Sequence, residues 1–197
     1  ARMNSSSSEQ LPRTAEPLLR PAVSYPLAIA SGALLSAAFE PVGIGLLAPL
    51  AVTGLVASVY GTRPRRAFAL AFLAGLAFFA LLMPWLTVVG TDAWLLLSAF
   101  CALWFGLMGI GICLVTRLAG WPVWVAGVWV LQEALRGRIP FGGYPWGRLA
   151  YGQPDTAVGR LAFIAGQPGV SMAVVLLGGA ILAIVLAARS RAWRSAA

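Results

Sequence analysis

From Ala93 to Thr116 the chain carries no charged side chain. A run of that length crosses the roughly 30 Å hydrocarbon core of a bilayer as one helix with some tilt. The remainder follows the same pattern. Of the 197 residues 60% are hydrophobic and 10% charged, against about 45–50% apolar in soluble domains, and the mean hydropathy is +0.85. The expectation is an all-α, polytopic membrane helix bundle of about six transmembrane helices. The first runs from about Ala22 to Phe39, the second from Ile44 to Tyr60 after the turn Glu40-Pro41-Val42-Gly43, and the third from Ala67 to Met83, where Pro84 stops it. The fourth spans Ala93 to Thr116, the fifth Trp121 to Leu135 and the sixth Gly169 to Ala188. Gly32 and Ser36, and Gly54 and Ser58, are spaced for close helix approach. Pro26 to Phe39 imitates the apolar core of a signal peptide, but Phe39-Glu40-Pro41 is a poor cleavage site, so a retained first helix is expected.

The basic residues are all arginine, and they gather at the ends of the apolar runs. That distribution speaks for membrane topology and against nucleic-acid binding. Six crossings with the amino terminus inside place ten of the fourteen arginines on the inner side, which predicts a cytoplasmic amino terminus. The polar residues 1–21, with Ser5 to Ser8, are expected to form a disordered cytoplasmic tail. Residues 22–188 form the transmembrane domain, and 189–197, with Arg189, Arg191 and Arg194, a cytoplasmic end leading into a further helix of a longer parent. Histidine and lysine are absent, which removes the commonest general base and any lysine-assisted nucleophile. Cys101 and Cys113, about 18 Å apart along one helix, cannot bridge and read as apolar fillers. No metal site or cofactor is expected.

Between the fifth and sixth helices lies the chemically richest stretch, Gln132 to Asp155. Glu133 falls near the carboxyl end of helix five, where the helix dipole disfavours a carboxylate, and Arg136 is three residues on. Trp129, Glu133 and Arg136 share one stripe, and two readings stand side by side: a structural pair locking the helix end, or a functional site. The connection of about thirty residues after Gly137 is long. Phe141, Tyr144, Trp146, Leu149 and Tyr151 make it too apolar for a free linker, so it is expected to fold back onto the outer interface. A plain aromatic belt without a ligand is the competing reading. Trp85, Asp92 and Glu40 are near enough in topology to join this surface, and Arg138 and Arg148 suit lipid phosphate in the general manner of headgroup-level arginines.

The run Glu133-Ala134-Leu135-Arg136-Gly137, followed by Gly143-Tyr144-Pro145-Trp146-Gly147-Arg148-Leu149-Ala150-Tyr151-Gly152-Gln153, resembles the E-W-L-R-G and G-F-P-W-L-x-L-G-Y-S-Q motifs of the amino-terminal membrane domain of apolipoprotein N-acyltransferases. Gly32 to Leu35, Phe39-Glu40-Pro41 and the segment from Gly75 to Trp85 with Phe78-Phe79 are also similar to that family. Departures at Pro84, Ala134, Tyr144, Gly147 and Ala150, with the arginine-, alanine- and glycine-rich composition, look like an actinobacterial branch. In that branch the domain is sometimes linked to a polyprenol-phosphate mannose synthase.

The resemblance implies a parent enzyme that moves an acyl chain from phospholipid to the amino group of the diacylglyceryl cysteine of lipoproteins. Its Glu-Lys-Cys triad belongs to a nitrilase-like catalytic domain, and a chain without lysine cannot hold that triad. Ala1 in place of an initiator methionine fits a fragment. No catalytic residue is therefore expected in this chain, and the isolated chain is expected to be inactive. Trp85, Glu133, Arg136, Tyr144, Pro145, Trp146, Tyr151 and Gln153 are the residues expected to face lipid or dock the catalytic domain, on the extracytoplasmic face of the cell membrane. Expected partners are the phospholipid acyl donor, the diacylated lipoprotein and the nitrilase-like domain. The alternative is a membrane anchor for a polyprenol-phosphate mannose synthase, a scaffold without acyl transfer. A small transporter coupling protons through Glu133 is the weaker third reading, because the acidic residues cluster at one interface and not at the midplane.

Overall fold

A computed structural model describes residues 17–195; of the tail expected over 1–21, residues 1–16 lie outside them, while Leu18 N donates to Tyr60 O and Pro21 already begins the first helix. The described residues form six helices and no strand: α1 (Pro21–Ser36), α2 (Leu47–Val59), α3 (Pro64–Leu82), α4 (Thr91–Val115), α5 (Trp121–Arg136) and α6 (Ala162–Ser195). Short 3-10 turns at Pro84–Val88, Leu149–Gly152 and Gly159–Leu161 complete the connections. The all-helical bundle is the architecture expected from the apolar runs.

Proline sets several boundaries. Pro21, Pro64 and Pro122 occupy the first turns of α1, α3 and α5, where the missing N–H costs nothing. Pro84 keeps α3 from continuing beyond Leu82. The main departure is α6. It begins earlier than Gly169 and continues past Ala188 to Ser195, and its first turn is set off by a break at Gly166, with φ 61° and ψ −168°. Glycine is the residue that takes up such a backbone without strain.

Three helical stretches are long and apolar enough to cross a membrane: Pro64–Leu82, Thr91–Val115 and Gly159–Ser190. The apolar helices α1 and α2 are shorter. The 13 residues of α2 span about 20 Å, less than the roughly 30 Å core.

Packing follows small residues. A side chain on Gly32 would strike the Ala74 backbone of α3, and one on Gly54 would strike Ser31 of α1. Both glycines picked out by spacing thus sit where helices approach closely. Thr53 Oγ1 donates to Gly178 O at 2.9 Å, tying α2 to α6. The centre of the core is aromatic: Phe39 of the α1–α2 connection meets Phe78 at 5.4 Å, and Phe105 of α4 lies 5.4 Å from Phe79 and 5.6 Å from Trp129. One core therefore joins α3, α4 and α5. Cys101 and Cys113 are both free and buried.

Register along α4 fixes the depth of α5. Gly111 of α4 faces Val128, Phe105 stacks edge-on against Trp129, and the Arg136 side chain reaches Cys101. Cys101 is ten residues into α4, about 15 Å from its start. Helix α5 therefore ends well inside the bundle, not level with the start of α4, and the connection after it must fill the space above.

Candidate functional site

The end of α5 is a helix terminus whose last carbonyls need partners. Trp129, Glu133 and Arg136 are buried, with Arg136 at 0% exposure and Glu133 at 4%. The two charged side chains do not hydrogen-bond one another. Instead each grips the loop that follows. Arg136 Nη1 donates to Tyr144 O at 2.8 Å and also to Trp146 O, and Nη2 reaches Gly147 O at 3.5 Å. Its guanidinium also lies 5.1 Å above the Phe79 ring, an additional cation–π contact. Glu133 Oε1 accepts from the Leu149 amide at 2.9 Å and from Trp129 Nε1 at 3.2 Å. Ser171 Oγ of α6, buried and with no partner of its own, stands beside that carboxylate.

Residues 143–149 are thereby templated by one arginine and one glutamate. The backbone closes the same circle, with Tyr144 N donating to Arg136 O at 2.7 Å. Gly143, at φ 77°, lies so close to the backbone of Arg136 to Arg138 that no side chain fits there. Gly147, at φ 69°, rests on Phe78, Phe79 and Leu82. Leu149 follows into the core at 1% exposure. Residues 143–149 thus fold back onto the bundle with Gly147 and Leu149 sunk into it as a plug, while Ile139, Phe141, Trp146 and Tyr151 remain exposed. The reason is the short α5, which leaves a hole that apolar loop residues fill.

Above the plug three aromatic rings meet. Trp85, from the turn after α3, lies 4.8 Å from Trp146, and Tyr144 lies 5.0 Å from Trp146. Trp85 and Trp146 remain 49% and 45% exposed. Tyr144 donates its hydroxyl to Met83 Sδ at 3.0 Å. Burial pushes its phenol above the ordinary tyrosine range, so it stays protonated and keeps donating.

The other expected residues separate from this group. Pro145 is half-buried. Tyr151 turns toward α6, its hydroxyl 3.3 Å from Gln167 Oε1. Gln153, expected at the surface, is 1% exposed; its Nε2 donates to Gly45 O at 2.9 Å and its Oε1 accepts from Thr156. A primary amide can hold two chain segments at once, and this one joins the plug to the α1–α2 connection. No hydrogen bond brings Glu40 or Asp92 to the rings. Among the described residues, no three His, Cys, Asp or Glu side chains gather in a way that would hold a metal.

Sequence reasoning missed the contribution of α6. Gln167 Oε1 also accepts from Arg148 Nη1 at 2.9 Å, and Pro168 closes one wall of a recess floored by Glu133. The available signal was Gly166-Gln167-Pro168, a breaker flanked by a polar residue before a long apolar run.

This geometry sits inside a recognisable family. Residues 31–180 match the family model for the apolipoprotein N-acyltransferase N-terminal domain. The chain is 42% identical over 154 residues to the apolipoprotein N-acyltransferase of Mycolicibacterium smegmatis, covering 77% of this chain and 26% of that protein. It is 33% identical to the protein of that name from Methylococcus capsulatus, over 79% of this chain and 34% of the relative, and 32% identical to the one from Pasteurella multocida, over 86% and 35%. It spans about a quarter to a third of the length of these relatives. With its three long apolar helices, it is the multi-pass membrane part of such a protein, and the chain belongs to the apolipoprotein N-acyltransferase family as its N-terminal domain.

Proposed function

We propose that this domain receives and orients the lipid substrates of an apolipoprotein N-acyltransferase and seats the part of that enzyme that performs the transfer. In this reading the parent takes an acyl chain from a phospholipid and delivers it to the amino group of a diacylglyceryl cysteine. The observation that carries the reading is the ring group of Trp85, Tyr144 and Trp146, half-exposed yet fixed from below by Arg136 and Glu133. Amphipathic rings held on a rigid base are suited to contact lipid or a neighbouring domain with little ordering cost. Their contribution to rate is positional. The chain has no lysine, so the lysine of a Glu-Lys-Cys triad must come from another part of the parent.

Sidedness follows from charge. The rings lie at the end of the bundle where α3 finishes and α4 starts, while Arg20, Arg63, Arg65, Arg66, Arg117 and Arg189 lie toward the opposite end. By the positive-inside rule we read that opposite end as cytoplasmic and the ring end as extracytoplasmic.

The test uses a full-length family enzyme containing this domain. Trp146→Ala and Glu133→Ala are expected to lower acyl transfer about tenfold or more, with the protein still found in the membrane fraction. Unchanged turnover in both variants would remove this end of the bundle from the substrate path.

A further inference from the structure

Between the end of α5 and the start of the main run of α6 lies a recess of about 90 Å³, lined by Val130, Glu133, Ala134, Arg138, Arg148 and Pro168. We infer that it binds the phosphate of a phospholipid headgroup, clamped between the guanidinium groups of Arg138 and Arg148; this rests on the reading that the ring end of the domain handles phospholipid.

The arginine arrangement is built, not incidental. Arg148 is half-buried, and a side chain on Gly137 would collide with its guanidinium, so glycine there leaves the space into which it folds. Nη1 is held by Gln167 Oε1, which is itself shared with the Tyr151 hydroxyl. The Arg148 Nε is buried and has no hydrogen-bond partner. A guanidinium so incompletely satisfied is costly, and an anion in the recess that Arg148 lines offsets that cost. Arg138 on the other wall is exposed, and its Nη1 donates to Ala134 O at 2.9 Å, which leaves most of its donors for a ligand.

Charge favours an anion. The lining carries two guanidiniums against one carboxylate, and Glu133 Oε1 is already engaged by Leu149 N and Trp129 Nε1. Arg136, also near Arg148, adds a third positive charge behind the floor. After the break at Gly166 the main run of α6 begins beside the recess, with Pro168 in its lining. The surroundings identify the anion. Phe141 and Phe163 are fully exposed, and Ile164 is 89% exposed, on the segments flanking the recess. Exposed aromatic and aliphatic side chains suit contact with acyl chains, and the anion that accompanies acyl chains is a lipid phosphate. Neither arginine is one of the fixed letters of the motifs: Arg138 follows the first, and Arg148 fills the variable place of the second.

The test is lipid retention by the full-length enzyme in detergent, read by native mass spectrometry during titration with dioleoylphosphatidylglycerol, dioleoylglycerol or inorganic phosphate. The wild type is expected to retain the phospholipid about tenfold better than the diacylglycerol, and Arg138→Gln with Arg148→Gln to abolish that preference. Arg138→Gln alone alters an exposed residue; it is expected to lose about threefold and serves if the double variant does not fold. Equal retention of the phospholipid by the folded variants, or of diacylglycerol by the wild type, overturns the site. Displacement of the phospholipid by inorganic phosphate at equal concentration overturns the lipid assignment and makes free phosphate the ligand. If Trp146→Ala abolishes acyl transfer while these arginine variants retain phospholipid normally, only the headgroup site falls.

Discussion

Along the α3–α4 seam, contact is made by shape: Gly75 lies against Phe105 and Ala102, and Gly109 against the Ala67 backbone. At the end of α5 contact is made by charge and hydrogen bonding, with Arg136 and Glu133 holding a loop that fills a hole. The first arrangement resists a change of volume and the second a change of donor count. The seam carries the load of a bundle without specifying anything beyond itself. The plug, with its exposed rings, fixes a surface.

The difference can be broken at either side. Arg136→Ala removes the donors for three loop carbonyls and leaves Glu133 buried without the nearby positive charge; a loss of about 3–5 kcal/mol is expected. Thermal unfolding in detergent measures it, and limited proteolysis should open cleavage within residues 137–161 first. Arg136→Lys should recover little, because an ammonium cannot reproduce a planar fork. A loop that stays protected in Arg136→Ala would show that packing alone holds the plug.

Gly75→Leu forces side-chain volume against Phe105 and should cost about 1–3 kcal/mol. Here the whole bundle should melt earlier, with no preferential cleavage of the loop; selective loop cleavage would mean the seam and the plug are one cooperative unit. The smallest effect belongs to Thr53→Val, which loses the hydrogen bond to Gly178 O. Interhelical hydrogen bonds in membranes average about 0.6 kcal/mol. A much larger loss would place polar contacts at mid-bundle on a par with those of the plug.

Periodicity and length made the helices legible, because an apolar run bounded by proline or arginine leaves few alternatives in a bilayer. Helix α4 begins at Thr91 where Ala93 was expected, and Gly90, with φ 159°, is the residue that lets the chain enter it there. The stripe of Trp129, Glu133 and Arg136 was legible from spacing, whereas topology only allowed Trp85 to approach the loop without requiring it. What spacing could not give is depth. The level at which α5 ends depends on which α4 residue faces Trp129, a register set by the fit of Phe105 and Gly111. From that unseen register follow the inward turn of Gln153 and the sinking of Leu149. The role of Gln167 was hidden for a related reason, since a break at Gly166 reads as a loop until the helix on each side of it is visible.

The shortness of α1, α2 and α5 has a consequence for the surrounding membrane. Helix α4, with 25 residues, spans about 37 Å, while the 16 residues of α1 and of α5 span about 24 Å each. The α1–α2 side of the bundle is therefore shorter, as helix, than a full-thickness bilayer, whereas α4 matches one. Lipids meeting the short flank must compress or tilt to cover it, at a cost of a fraction of a kcal/mol per Å. Such lipids sit in a deformed, higher-energy annulus, and drawing one partly out of the leaflet relieves that deformation. In a bilayer the domain is thus expected to act as a wedge, thinnest beside α1 and α2.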